Sequence, residues 1–183
     1  MLAYAISDPS TLSFEHPSED LQRFSRLASM IVYRDRLTPN YHDNAKLFLE
    51  AAKHFDFDKV LLHGDVELAC KLKADGVHLR SDQFELVAEA KSCGLFTVAS
   101  AHSLEELLDL QERGADMATL SPIFATPNKG KPLGVNILKT LKAELDIPVI
   151  ALGGILGDTQ IQSCKTAGFA GFASIRYFLQ DKD

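Results

Sequence analysis

Short runs of apolar residues alternate along the whole chain with longer segments in which apolar residues recur at helical spacing. The short runs are uninterrupted, which is typical of parallel strands covered on both faces. The longer segments begin after polar capping residues such as Ser103 and end at glycines such as Gly94 and Gly114. This pattern predicts eight strands, at residues 2–6, 30–33, 60–62, 76–79, 96–100, 117–121, 149–152 and 171–175.

The segments between the strands are predicted to be helices, at residues 44–54, 66–73, 83–92, 104–113, 135–145 and 159–167, with a turn or two at 177–180. The pattern leaves residues 17–29 undecided. Eight strand–helix units predict an α/β protein, a compact single-domain (β/α)₈ TIM barrel over residues 1–183. The alternative is a doubly wound open sheet, but Ser7-Asp8-Pro9 stands where a glycine-rich dinucleotide motif would follow the first strand.

The chain has 46% apolar and 24% charged residues and a formal net charge of −6, as expected of a globular protein. The acidic balance argues against general nucleic-acid binding. The apolar runs are too short for a membrane span, Met1 leads straight into the first strand without a secretion signal, and the three cysteines are scattered. We therefore expect a cytoplasmic protein with neither nucleic acid nor membrane as a partner, while a homo-oligomer is left open.

In a barrel, the functional residues lie on the loops that follow the carboxyl ends of the strands. Here these loops bring cationic and imidazole side chains to one end of an acidic protein, which favours an anionic ligand. The candidates are Arg34, Arg36, His63, Arg80, Ser100, His102, Lys129 and Arg176. His63 and His102 are equally compatible with ligand contact and with helix capping, whereas His78, within a strand, is interpreted as a packed core residue.

The longest of these loops, residues 121–134, contains two glycines and the polar side chains of Thr126, Asn128 and Lys129. Such a loop can fold over a phosphate and exclude water. A surface connection rich in proline and glycine is the alternative interpretation.

Two glycines, Gly153 and Gly154, follow the seventh strand, and Ile175 and Arg176 end the eighth. Glycines at a strand end let backbone N–H groups approach a phosphate closely. Because barrels commonly bind phosphate after strands seven and eight, the sequence predicts a phosphate site here.

The order of these motifs resembles the superfamily of thiamine-phosphate synthase and TenI-type thiazole tautomerase, over nearly the whole chain. The matching segments are Tyr4-Ala5-Ile6-Ser7-Asp8, Ala74-Asp75-Gly76-Val77-His78-Leu79, Ser100-Ala101-His102-Ser103, Leu120-Ser121-Pro122-Ile123-Phe124-Ala125-Thr126 and Pro148-Val149-Ile150-Ala151-Leu152-Gly153-Gly154. The resemblance implies a (β/α)₈ barrel that handles small phosphorylated thiazole and pyrimidine ligands. The synthase joins an aminopyrimidine pyrophosphate to a thiazole phosphate and releases pyrophosphate, with Mg²⁺ assisting because the leaving group is highly charged.

The resemblance also implies roles for individual residues. Arg34 and Arg36 match the basic pair that holds the pyrophosphate, and Ser100 matches the serine after the fifth strand. Three further matches lie in the second half of the chain, at Thr126, Lys129 and Gly154, with Asn128 where a second threonine is common.

The departures from the family pattern concern the metal site and the isomerase histidine. His63-Gly64 replaces the Asn-Asp pair whose aspartate holds Mg²⁺, and Arg80-Ser81-Asp82-Gln83 replaces the second acidic motif. Asp65 and Asp82 are thus weak candidate ligands, each one residue away from the family position, and both stand where helix caps are expected. Arg80 favours direct phosphate contact and opposes a divalent cation. Pro122 occupies the position of the histidine characteristic of the tautomerase.

Three functions remain compatible with these residues. The first is a synthase-type transferase with a degenerate metal site, for which Mg²⁺ is doubtful. The second is a metal-independent TenI-like isomerase that moves a proton on a thiazole phosphate, with His63 or His102 as the acid–base group. The third is a protein that binds thiazole phosphate or thiamine phosphate without turnover, or an enzyme that acts on a divergent substrate.

Overall fold

A computed structural model describes residues 1–36, 38–140 and 144–179 of the protein. Eight parallel strands form a closed barrel in which each strand pairs with the next along the chain and the last pairs with the first. The strands are β1 (Leu2–Ser7), β2 (Met30–Tyr33), β3 (Lys59–His63), β4 (Gly76–Leu79), β5 (Phe96–Ala101), β6 (Met117–Leu120), β7 (Val149–Leu152) and β8 (Gly171–Ser174). The predicted (β/α)₈ barrel is confirmed, and the doubly wound sheet is excluded.

Helices connect the strands on the outside of the barrel. They are α1 (Pro17–Ser25), α2 (Tyr41–Ala52), α3 (Val66–Leu72), α4 (Val87–Ser92), α5 (Leu104–Glu112) and α6 (Asp158–Ala167), with short 3₁₀ helices at Phe84–Leu86, Val135–Thr140 and Arg176–Leu179. Within the described ranges the longest helix, α2, has 12 residues, and none there is long and apolar enough to cross a membrane.

Two predicted helices differ from the structure. The helix predicted at 135–145 is wrong: the chain forms a 3₁₀ helix over Val135–Thr140, and residues 141–143 lie outside the described ranges. Only Leu138 of this 3₁₀ helix is buried, so there is little apolar surface to hold a longer α-helix against the barrel. The helix predicted at 83–92 starts instead as a 3₁₀ turn, because the Gln83 side chain is bonded to the Gly64 carbonyl and the Arg80 amide.

The apolar residues form two layers, as the two-sided strand pattern predicts. Inside the barrel lies a cluster that includes Tyr4, Ile6, Val32 and Ile150. Between the barrel and its helices lies a larger cluster, to which the alternate strand residues such as Ala5 contribute. Side chains fill the barrel interior toward the amino ends of the strands, so space for a ligand is left at the carboxyl ends.

Close strand packing leaves no room for a side chain at Gly76, the first residue of β4. A Cβ atom there would lie 2.1 Å from the carbonyl oxygen of Phe96 on β5. We expect Gly76→Ala to lower the free energy of unfolding by about 3 kcal/mol, because the backbone of β5 would have to move. Urea denaturation measures this, with Gly130→Ala as the matched control, since nothing lies within 4 Å of a Cβ at that position. Equal stability of the two variants would contradict the packing described here.

Candidate active site at the carboxyl end of the barrel

A cavity of about 490 Å³ opens at the carboxyl ends of the strands. It is lined by residues from the loops that the barrel fold assigns to function. Twelve of the predicted site residues line it: Arg34, Arg36, His63, Arg80, Ser100, His102, Thr126, Lys129, Gly153, Gly154, Ile175 and Arg176. Three predicted residues, Asn128, Asp65 and Asp82, are not among its lining residues.

The cavity is strongly positive although the whole chain carries a formal net charge of −6. One carboxylate, that of Asp8, lines the cavity, and it already accepts hydrogen bonds from the backbone and side chain of Ser10. The cationic side chains lining it are Arg34, Arg36, Arg80, Lys129 and Arg176. This excess of positive charge favours an anionic ligand.

Arg34 and Arg36 follow β2, and among the described residues neither forms an ion pair with an acid. The intervening Asp35 accepts hydrogen bonds from the Tyr33 hydroxyl at 2.9 Å and from the Thr38 backbone and hydroxyl. Burial, followed by repulsion from Arg36, lowers the pKa of Arg34, and Asp8 acts in the opposite direction. Two uncompensated guanidinium groups held close together are a suitable binding site for a phosphate or pyrophosphate.

The loops after β7 and β8 present backbone N–H groups to the cavity. Gly153 and Gly154 both have positive φ, at 97° and 70°, a conformation that favours glycine. The N–H groups of these two glycines, of Ile175 and of Arg176 donate to no described acceptor. Successive free N–H groups of this kind form a cradle for an anion.

Gly154 is also required by its contact with the loop after β6. A Cβ atom at Gly154 would lie 2.6 Å from the carbonyl oxygen of Ala125 and 2.8 Å from the Cβ of Phe124. The loop is fixed to the end of β7, since the N–H groups of Ile123 and Phe124 donate to the carbonyls of Leu152 and Gly153. The outer part of the loop is exposed, and Thr126 and Lys129 reach the cavity from it.

His63 lies at the end of β3 with its ring 5.7 Å from that of His78, measured between ring centroids. Its backbone is anchored by the Tyr41 hydroxyl, which donates to the His63 carbonyl at 3.0 Å. Burial and the positive charges of the neighbouring arginines lower the pKa of His63 to about 2. The imidazole is therefore neutral at physiological pH and can accept a hydrogen bond.

His102 lies at the end of β5, at the edge of the cavity. Its Nδ1 is 2.9 Å from the backbone carbonyl of Ser121, and because a carbonyl can only accept, Nδ1 carries the proton in this contact. When the ring is neutral, this leaves the Nε2 lone pair available. The His102 backbone N–H donates to Glu106 at 2.6 Å, so helix capping here is done by neighbouring residues and not by the imidazole.

A hydrogen-bonded chain at the floor of the cavity was not predicted as functional. The hydroxyl of Tyr4 lies 2.9 Å from Nδ1 of His78, and Nε2 of His78 lies 2.9 Å from Oγ of Ser100. His78 is only 3% exposed, as a core residue should be, yet it lines the cavity. The inward position of residue 78 in its strand is the sequence signal, but the contact with Tyr4 spans 74 positions and is not visible in the sequence.

The two candidate metal ligands are engaged elsewhere. Asp65 caps α3 by accepting from the Leu68 N–H at 2.8 Å, which confirms the capping alternative, and its other oxygen is 3.4 Å from Nε2 of His42. The capping role predicted for Asp82 is wrong, since its exposed carboxylate binds Arg80 at 2.9 Å and 3.3 Å. Arg80 also lowers the pKa of Asp82.

Taken together, these residues do not fit a divalent cation held by the protein. Within the described part of the chain, no three His, Cys, Asp or Glu residues are grouped so that they could hold a metal ion. Asp65 lines a smaller neighbouring recess together with Asp35, Arg36 and Arg80. Asp35 accepts hydrogen bonds from Tyr33 and Thr38, and the positive charges of the two arginines oppose a cation.

The fold and the cavity thus define a (β/α)₈ barrel with a positively charged site at the carboxyl ends of its strands. The family model described as thiamine monophosphate synthase matches residues 3–178, and the chain belongs to that family. The resemblance seen in the sequence motifs is confirmed.

Individual relatives agree with this assignment. The thiamine-phosphate synthase of Lysinibacillus sphaericus is 31% identical over 191 aligned positions, which cover 98% of this chain and 89% of the relative. That of Desulfitobacterium hafniense (strain Y51) is 32% identical, but the match covers 68% of this chain and only 62% of the relative. The solved structure of thiamine phosphate pyrophosphorylase from Pyrococcus furiosus is 26% identical, with a TM-score of 0.79 over 95% of this chain and 85% of the other.

The neutral state of His78 makes stability sensitive to acid. Its pKa is lowered to about 3 by burial and by Arg34 and Arg36, whereas an unfolded histidine has a pKa of about 6.5. Since only the unfolded chain takes up the proton between these values, stability is lost as the pH falls below 6.5. We expect this group to contribute a loss of about 2 kcal/mol at pH 5 relative to pH 7.5. Urea denaturation at both pH values measures the loss, and His78→Gln should make it smaller; an unchanged loss in the variant would assign the acid sensitivity to other groups.

Proposed function

We propose that this chain is a cytoplasmic, single-domain thiamine-biosynthesis enzyme of the thiamine-phosphate-synthase type. In this proposal it couples an aminopyrimidine pyrophosphate with a thiazole phosphate and releases pyrophosphate. The observation that carries the proposal is the presence of two separate groups of anion-binding donors in one cavity. Free backbone N–H groups follow β7 and β8, and the guanidinium groups of Arg34, Arg36 and Arg80 follow β2 and β4.

Two donor groups that follow different strands of one cavity suit two phosphorylated substrates. The cradle of N–H groups would take the single phosphate of the thiazole, since it offers several fixed donors to one tetrahedral anion. The guanidinium groups of Arg34, Arg36 and Arg80 would take the pyrophosphate. The two heterocyclic rings would then meet over the floor of the cavity, where holding both reactants in place accelerates their reaction.

The arginines would also stabilise the departing group. When the bond to pyrophosphate breaks, negative charge accumulates on the leaving oxygen, and positive charges already held in place lower the energy of that state. In the family reaction Mg²⁺ supplies charge of this kind. Because the described carboxylates do not fit a metal ion, the proposal assigns this charge stabilisation to guanidinium groups and routes no step through a metal.

Lys129 would complete the site from the loop of residues 121–134. It lines the cavity from an exposed loop and forms no ion pair with a described residue. An ammonium group on a loop of this kind can contact a phosphate once both substrates are in place. Thr126 lies on the same loop, with its hydroxyl bonded to the Phe124 carbonyl at 3.0 Å.

A second candidate function is a metal-independent isomerisation of the TenI type. The observation that favours it is the imidazole of His102 at the edge of the cavity, whose Nδ1 donates to the Ser121 carbonyl and whose Nε2 is left to act as a base. A base of this kind can move a proton on a thiazole phosphate without a metal. The tautomerase histidine itself is absent, since its position is occupied by Pro122.

The direct test is to incubate the purified protein with both synthase substrates, in Mg²⁺ and separately in EDTA. Formation of thiamine phosphate in EDTA is the expected result. Formation only in the presence of Mg²⁺ would retain the synthase activity but contradict the metal-free site. Isomerisation of a thiazole carboxylate phosphate without coupling would support the second candidate, and tight binding without either reaction would show a ligand-binding protein.

The arginine site makes a separate prediction about binding. We expect Arg34→Ala, Arg36→Ala and Arg80→Ala each to weaken the binding of inorganic pyrophosphate in EDTA by about tenfold or more, because each removes a charge-assisted hydrogen bond. Isothermal titration calorimetry measures the affinities. Arg113→Ala is the matched control, since Arg113 pairs with Asp109 on the surface and does not line the cavity. Unchanged affinity in both Arg34→Ala and Arg36→Ala would rule out the proposed pyrophosphate site.

A further inference from the structure

Two hydrogen bonds connect Tyr4, His78 and Ser100, and the surrounding residues determine which atom of each bond donates and which accepts. Both contacts of the imidazole are 2.9 Å long, and either ring nitrogen of a neutral histidine can carry the proton. One arrangement has Nε2 protonated and donating to Ser100. The other has Nδ1 protonated and donating to Tyr4. The two arrangements give Ser100 opposite roles in the cavity.

The Tyr4 hydroxyl decides between them. Its side chain is fully buried, and Nδ1 of His78 is its one hydrogen-bond partner among the described residues. If Nδ1 carried the proton, the hydroxyl of Tyr4 would have to accept and its own proton would lack an acceptor in the interior. A buried donor left without a partner costs about 1–3 kcal/mol. Tyr4 therefore donates to Nδ1.

Full protonation of the ring is disfavoured by the groups around it. A charged imidazolium would be surrounded by low-dielectric interior and would face Arg34 and Arg36, while the nearby His63 is itself neutral. An imidazolium would also donate from Nδ1 to the Tyr4 hydroxyl, which would again leave the tyrosine proton without an acceptor. The ring is thus neutral, with its proton on Nε2, and this proton is donated to Oγ of Ser100.

Ser100 then has its own hydroxyl proton to donate. It lines the cavity, and its Oγ accepts from His78. The neighbouring Thr119, paired with Ser100 in the strand register, does not take up this proton, because its Oγ1 has no hydrogen-bond partner among the described residues. The proton of Ser100 is free to be donated into the cavity.

We propose that Tyr4 and His78 are positioning residues that set Ser100 as a hydrogen-bond donor to an acceptor atom of the ligand's heterocyclic ring. The proposal rests on the proposed function only for the identity of that ring. The aminopyrimidine is favoured by the position of Ser100. Ser100 lies on β5, next to β4, which carries His78 and is followed by Arg80. A ring attached to a pyrophosphate at the arginines would therefore extend over His78 and Ser100. Ring nitrogens of an aminopyrimidine are acceptors for such a donor.

This assignment distinguishes Ser100 from a serine prepared for nucleophilic attack. A nucleophilic serine donates its proton to an imidazole, which acts as the base. Here the imidazole donates to the serine. Ser100 is therefore expected to orient a ligand rather than to attack it.

The test is direct observation of the His78 ring by ¹⁵N NMR, in which protonated and unprotonated ring nitrogens have clearly different chemical shifts. In the unliganded wild-type protein at pH 7 we expect Nε2 to be protonated and Nδ1 to be unprotonated. Tyr4→Phe should move the Nδ1 resonance toward that of an unprotonated nitrogen without a hydrogen bond, because Nδ1 loses its donor while Nε2 keeps its proton. Ser100→Ala should leave Nδ1 unprotonated and hydrogen-bonded as in the wild type. A protonated Nδ1 in the wild type, or an unchanged Nδ1 resonance in Tyr4→Phe, would overturn the proposal, and the wild-type spectrum decides it even if Tyr4→Phe does not fold.

Ligand binding provides a second readout with its own controls. Ser100→Ala should weaken the binding of the aminopyrimidine pyrophosphate by about fivefold, the loss of one hydrogen bond, and Tyr4→Phe should weaken it by less, because the Ser100 donor is kept but held less firmly; both should leave the affinity for inorganic pyrophosphate unchanged. Tyr177→Phe is the matched control, since the Tyr177 hydroxyl donates to Asp158 and that tyrosine does not line the cavity. An equal loss for inorganic pyrophosphate would show a general disturbance of the cavity and would contradict a role specific to the ring.

Failure of the proposed function gives a different result. If the protein binds no aminopyrimidine pyrophosphate, the functional assignment is wrong, but the protonation state of His78 in the unliganded protein is still measured. A ring with Nε2 protonated would then support Ser100 as a donor to a different ligand.

Discussion

Closure of the barrel by pairing of β8 with β1 is the constraint on which the site depends. The register places Gly171 beside Leu2, and a Cβ at Gly171 would lie 2.6 Å from the Leu2 carbonyl oxygen, so the two strands approach closely only because a glycine is there. Once the sheet is closed, alternate residues of every strand point inward. Apolar inward residues fill the lower levels, and polar ones meet at the carboxyl end. Residues as distant in sequence as Tyr4 and His78 become hydrogen-bond partners for this reason.

The second determining feature is positive charge that the protein itself does not neutralise. Asp35, the carboxylate nearest in sequence to Arg34 and Arg36, is held by Tyr33 and Thr38 and is thereby kept from pairing with either arginine. Holding like charges close together lowers the stability of the folded protein. Such destabilising arrangements are characteristic of functional sites. Burial, and after it these charges, lower the pKa of His78 and of the half-buried His63, so both imidazoles are neutral.

Much of the architecture could be predicted from the sequence, because strand and helix patterns are local. The strand limits agree to within about a residue, and Asp65 caps its helix as its position before an apolar segment indicates. The local sequence patterns gave wrong predictions where side-chain contacts from outside the segment determine its structure. Gln83 is held by the Gly64 carbonyl and replaces the first turn of a helix with a 3₁₀ turn, and Asp82 binds Arg80 instead of capping. The 3₁₀ helix after Gly134 likewise depends on how little of its surface is buried.

For the candidate site, the sequence indicated which side chains gather at one end of the barrel but not how they are connected. Arg34, Arg36 and Arg80 could be selected because each follows a strand. The role of Ser100 depends on which ring nitrogen of His78 carries the proton, and the buried Tyr4 on another strand determines this. No local pattern contains that information, since it arises only when β1, β4 and β5 are brought together by closure.

In the proposed site guanidinium groups, and not a metal ion, hold the more highly charged ligand. The most direct measurement is a crystal structure of the protein grown with inorganic pyrophosphate and Mg²⁺ both supplied. We expect pyrophosphate oxygens within hydrogen-bond distance of Arg34, Arg36 and Arg80, with Asp65 still capping its helix and no metal ion bound to an aspartate. A Mg²⁺ ion held between the pyrophosphate and the carboxylate of Asp65 or Asp82 would contradict it.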